Sequence, residues 1–104
     1  MLLLLLFAVA SDYRAVGTEP FWVLTIGQGR IRLEELERPP VTVRTPVKRS
    51  GPGWRRYRTR RMTVTIAPGP CSDGMSDRRY PDSVTVVTGG RTLRGCGGLA
   101  AVQR

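Results

Sequence analysis

Between Cys71 and Tyr80 the chain reads C-S-D-G-M-S-D-R-R-Y, and its two carboxylates, Asp73 and Asp77, are spaced so that they can serve as a general acid and base. The same residues suit a purely structural role, because Asp and Ser beside Gly74 hydrogen-bond to their own backbone and hold a turn. A calcium loop is a poorer fit, since D-G-M-S-D lacks the dense oxygen ligands that such a site needs. The second chemical feature is W-R-R-Y-R-T-R-R from Trp54, which places Arg55, Arg56, Arg58, Arg60 and Arg61 within seven residues. Guanidinium forks match phosphate and carboxylate alike, and arginine interleaved with aromatic rings is also what binders of single-stranded nucleic acid present. The competing reading is a solvated strand face in a chain that prefers arginine to lysine. Strand alternation divides these side chains between two faces, so about three at most can engage one flat partner. We expect an exposed cationic strip.

Composition removes most other chemistry. The 104 residues carry a net charge of +9 and include no histidine, no asparagine and only two cysteines. His-based triads, His-ligated metals, zinc knuckles and N-glycosylation are therefore excluded. No cofactor, metal or catalytic residue is assigned. With 40% apolar and 24% charged residues, the chain has the composition of one small globular domain.

Met1 to Ala10, M-LLLLL-F-AVA, is uncharged and stops at Ser11-Asp12. It is too short to span a bilayer, but it has the length of a signal-peptide apolar region and ends in a small-x-small site. The expectation is a signal peptide over 1–10, cleaved after Ala10, then a single domain over 11–104 in the periplasm or outside the cell. A buried first strand is the competing reading. Ser11 rather than cysteine follows the cut, which argues against lipidation there. In an oxidising compartment Cys71 and Cys96 pair as a disulfide. A redox pair is the alternative, although the spacing is far from C-x-x-C.

The elements that position these groups read as strands. Phe21 to Ile26, F-W-V-L-T-I, is aromatic and β-branched, Gly27-Gln28-Gly29 permits a tight turn, and Ile31 and Leu33 alternate with charged neighbours on the return. Pro39-Pro40 ends that arm, Val41 to Arg44 is a third strand, and Ser50-Gly51-Pro52-Gly53 is a turn. Met62, Val64 and Ile66 alternate with threonines. Extending their frame backwards buries Arg56, Arg58 and Arg60, a prohibitive cost, so a bulge or a strand break near Arg60-Arg61 is required and Tyr57 turns inward. A loop follows from Ala67 to Tyr80. Val84 and Val86, the Gly89-Gly90 turn and Arg91 to Arg94 then form a last hairpin. No helical stretch is found. The expected fold is all-β, a small antiparallel barrel or sandwich of six or seven short strands. Its core is Trp22, Leu24, Ile26, Ile31, Leu33, Met62, Val64, Ile66, Val84, Val86 and Leu93.

Three segments, G-T-E-P-F-W from Gly17, C-S-D-G-M-S-D-R-R-Y-P from Cys71 and L-R-G-C-G-G from Leu93, carry a resemblance. They resemble the signature of a family of uncharacterised bacterial envelope proteins, often described as membrane-like or lipoprotein-type and sometimes found beside META domains. The likeness spans Val16 to Gly98 and implies an envelope location without implying a reaction. If the segments meet on a ligand, the side chains they offer are Glu19, Trp22, Asp73, Asp77, Arg78 and Tyr80. Glu19 is expected to pair with an arginine of the Asp73 to Arg79 loop. The functional expectation is an exported, monomeric, non-enzymatic envelope module that binds an anionic component: lipopolysaccharide, anionic lipid or acidic glycan. The rivals are a small enzyme using Asp73 and Asp77, and a binder of single-stranded nucleic acid.

Overall fold

The structure is a computed structural model that describes residues 12–99 and 101–102; the expected leader over 1–10 lies outside the described residues. Ten strands form in chain order: β1 (Tyr13–Thr18), β2 (Phe21–Gly27), β3 (Arg30–Glu35), β4 (Val41–Arg44), β5 (Arg49–Gly51), β6 (Trp54–Arg58), β7 (Met62–Ser72), β8 (Arg78–Thr88), β9 (Arg91–Gly97) and β10 (Ala101–Val102). Nine of them make one antiparallel sheet in the order β4-β3-β2-β1-β9-β8-β7-β6-β5, with β10 added beside β8. The all-β class is as expected; the count of six or seven strands is too low.

The sheet curls into a half-barrel. The reason lies in its inward side chains. Trp22, Leu24, Ile31 and Leu33 from one wing and Met62, Val64, Ile66, Val84, Val86 and Leu93 from the other are all buried in a single cluster, and a sheet with one apolar face covers it by folding over on itself. Ten of the eleven expected core residues are buried; Ile26, near the end of β2, is half-buried against them. The tight turns follow local chemistry. Gln28-Gly29 and Gly89-Gly90 connect their hairpins with φ of 53° and 75°, and 54° and 74°, the paired positive values that two-residue hairpin loops need to match strand twist.

The arginine-rich segment resolves its frame by a break. β6 ends at Arg58, Thr59 to Arg61 turn the chain, and β7 starts at Met62, with Tyr57 opposite Val64 and packed on the core. The loop expected over Ala67 to Tyr80 is shorter than that. β7 continues past Pro68 to Ser72 through a register shift between Pro68 and Cys71, leaving 73–77 between strands. Proline and glycine in A-P-G-P conceal the strand, yet a bulge absorbs both.

Ion pairs flank the core at both ends. At one end, Glu35 on β3 receives two hydrogen bonds from the Arg91 guanidinium, at 2.5 and 2.8 Å, joining the two wings. At the other, the Tyr13 hydroxyl donates to Asp82 at 2.8 Å and Arg55 lies 3.6 Å from the same carboxylate oxygen. Burial and the adjacent carboxylate push the Tyr13 phenol above its ordinary value. The hydrogen bonds from Arg91 hold Glu35 below the usual carboxylate range, against the opposing effect of burial. A carboxylate with a lowered native pKa stabilises the fold above its unfolded value, about 4.3, and loses that contribution as pH falls through its native one. Stability is therefore expected to decline as pH falls below about 4. Urea midpoints measured between neutral and acid pH should show a shallower decline for Glu35→Gln than for the parent; parallel declines would remove Glu35 as a source.

Candidate functional site

The three signature segments converge on the outer, non-core face of the sheet. They line an open hollow of about 470 Å³ whose wall includes Val16, Thr18, Glu19, Ser72, Asp73 and Arg94, with Cys71 and Cys96 beside them. The two cysteines form a disulfide, with Cα atoms 5.6 Å apart, joining the far arm of β7 to β9. The Glu19-Pro20 peptide between β1 and β2 is cis.

The expected partner of Glu19 is not what ties these segments. Glu19 is exposed and enters no ion pair among the described residues; instead the Thr18 hydroxyl donates to the Asp73 carbonyl at 3.2 Å. Trp22 is fully buried, with no exposed surface to offer a ligand. Its indole is seated between β1 and β9, where a Cβ at Gly17 would overlap the indole nitrogen and one at Gly95 the Val16 carbonyl. An aromatic residue inside a signature motif thus serves packing. Tyr80 is also buried, and it shares with exposed Arg78 a separate hollow beside β1.

Asp73 and Asp77 diverge. One Asp73 oxygen accepts the backbone N–H groups of Met75 and Ser76, each at 2.9 Å, and the other accepts the Ser76 hydroxyl at 2.9 Å. Those bonds hold Asp73 below the usual carboxylate range. Its oxygens are engaged in shaping the loop, while Asp77 lines a small neighbouring hollow with Ser72, Ser76 and Arg79. Among the described residues, no group of three potential metal ligands comes together.

The arginine run divides by strand parity. Arg56 and Arg58 on β6, and Arg60 and Arg61 in the turn after it, are exposed. Arg55 departs from the expected strip. It shares the inward face with Tyr57, lies 5.3 Å from the Tyr13 ring centroid and pairs with Asp82. A carboxylate and an aromatic ring beside this partly buried guanidinium offset its desolvation, which is why the inward turn of Tyr57 can bring Arg55 with it. Arg56 is held outward: its guanidinium stacks 4.8 Å from Trp54 and its Nε–H donates to the Thr65 hydroxyl at 2.9 Å.

Strand register adds members that spacing along the chain hides. Arg49 lies opposite Arg56, Arg56 opposite Thr65, Thr65 opposite Thr85, and Thr85 opposite Arg94. These residues cross five strands in one outward row. Strands β5, β6, β7 and β9 contain no acidic residue, and Asp82 of β8 points inward. Arg49 and Arg94 are absent from the expected strip because their neighbours in sequence are not their neighbours in space; the stretch from Arg38 to Ser72, with nine basic residues and no acidic one, is a cue to Arg49, and none marks Arg94.

Compared with family models, with curated proteins and with solved structures, the chain matches none.

Proposed function

We propose that this protein is a non-enzymatic binding module of the bacterial cell envelope, exported and disulfide-bonded, that engages an anionic envelope component through the outer face of β5 to β9. The observation that carries this reading is the row of outward strand positions on β5 to β9, which holds Arg49, Arg56, Arg58 and Arg94 and no carboxylate; Glu19 and Asp73 approach it only at the Arg94 end, from neighbouring turns. An excess of one charge on one face attracts polyanions and raises their encounter rate. Export is supported by the apolar leader and by the compatibility of the Cys71–Cys96 bridge with an oxidising compartment, and an envelope role by the resemblance of the signature segments. The acid–base alternative has no comparable support, since Asp73 spends its oxygens on its own loop.

The test is binding to phosphatidylglycerol vesicles, lipopolysaccharide, a polyuronate and single-stranded DNA from about 50 to 200 mM salt, where counterion-driven contacts weaken steeply. Replacing Arg56, Arg58 and Arg94 together by glutamine is expected to reduce affinity for an anionic partner about a hundredfold, at ~1 kcal/mol per surface arginine. Equal binding by parent and variant, or none at low salt, would leave the arginines as a solvated face. A clear preference for DNA would favour the nucleic-acid reading.

A further inference from the structure

We infer that the anionic partner is an extended acidic polysaccharide, carboxylated along its length and laid across the strands of the outer face. This rests on the binding reading above and narrows it to one ligand class. Two adjoining hollows run over β5 to β8. One, of about 340 Å³, is lined by Val47, Arg49, Trp54, Arg56 and Arg58. The other, of about 530 Å³, continues from Arg56 and Arg58 over Thr63, Thr65, Thr85 and Val87. Together they form a shallow groove with basic side chains at one end and hydroxyls along its floor.

The spacing of charge selects the ligand. Arg56 in the groove and Arg94 beyond its far end, where it stands on the wall of the signature hollow, lie in one cross-strand row, separated by Thr65 and Thr85. Three strand intervals put their backbones about 14 Å apart. A single phosphate cannot meet both, whereas a chain of repeating anionic units can. Between the charges the floor offers hydroxyls, which hydrogen-bond as donor and acceptor and suit a ligand rich in hydroxyls itself. Arg56 is preorganised by Trp54 and Thr65, so little rotamer freedom is lost on binding, and its fork matches a carboxylate.

The same features disfavour the other polyanions. A bilayer calls for aromatic or bulky apolar side chains at the docking face, but the groove itself shows only Val47 and Val87; exposed Phe21, Leu36, Met75 and Leu99 all stand outside it. Stacking of nucleic-acid bases needs open rings. Trp54 lies against Gly51 with the Arg56 guanidinium stacked on its ring, leaving it only partly exposed, and Tyr57 turns inward.

The experiment is calorimetric titration of the protein with polygalacturonate at about 50 mM salt, with dextran as the neutral polysaccharide and phosphatidylglycerol vesicles and single-stranded DNA as the other polyanions. Polygalacturonate is expected to bind and dextran not. The Arg56→Gln/Arg94→Gln double variant should lose at least about tenfold in affinity. Thr85→Val should lose about threefold or more with charge unchanged, and Thr85→Ser should restore it. Arg30→Gln, an exposed charge removed from β3, should bind like the parent. Binding to vesicles or DNA but not to polygalacturonate overturns the polysaccharide inference while leaving an anionic ligand in place. No binding to any polyanion overturns both. Equal loss in Arg30→Gln, or no loss in Thr85→Val, shows attraction by net charge alone and overturns the row.

Discussion

Replacing Trp22 by alanine is expected to cost about 3 to 5 kcal/mol, which approaches the total stability of a domain this small, about 5 to 10 kcal/mol. The side chain has no exposed surface, and its site is built from bare backbone. Gly17 on β1 and Gly95 on β9 bring the main chain against the indole, and neither tolerates a Cβ without movement of Trp22 or of the Val16 carbonyl. Strands cannot close over the cavity left by alanine without giving up their register. Gly95→Ala should also destabilise, because its obstacle includes backbone, which has no rotamer to change. Equilibrium urea unfolding followed by fluorescence of Trp54 and by circular dichroism measures both. A loss below about 1.5 kcal/mol for Trp22→Ala would mean that the site collapses and that the indole is not the centre of the core.

Removing the disulfide is the second large effect. The bridge closes a sequence separation of 25 residues, for which the chain-entropy estimate is about 3 to 4 kcal/mol. It also fastens the arm of β7 beyond its bulge, which leads into Asp73 and contributes Cys71 and Ser72 to the signature hollow. The Cys71→Ala/Cys96→Ala variant is expected to lose about that much stability. Hydrogen exchange should rise first in 68–79, ahead of the β2–β3 hairpin, because the arm past the register shift has fewer core contacts to hold it. Unfolding free energies of oxidised parent and variant that agree within about 1 kcal/mol would assign the bridge a negligible role.

These expectations bear on function differently. Trp22 and the disulfide stabilise the scaffold, and neither offers a group to a ligand on the outer face. The groove residues Arg58 and Thr85 are partly or fully exposed and outside the core, so substitutions there should change binding at nearly constant stability. That separation makes the proposed polyanion face testable without unfolding the protein.

Much of the architecture was legible in the order of residues. Alternation in β2, β3, β7 and β8 determined which side chains face inward, because the backbone of a strand repeats every two residues whatever its partner. Gly89-Gly90, Pro39-Pro40 and Pro52-Gly53 marked turns by local conformational preference. The cost of burying three arginines located the break before Met62. Other features depended on neighbours far along the chain. β1 passed unread because Ala15 and Gly17 are weak strand formers, and their smallness has a reason only once Trp22 lies across them. The inward turn of Arg55 required Asp82 and Tyr13 to meet it. The row from Arg49 to Arg94 exists because five strands share one register. Periodicity is a property of the local backbone and can be read from the sequence alone; pairing and register are set by which distant surfaces bury best together, and only the folded chain decides them.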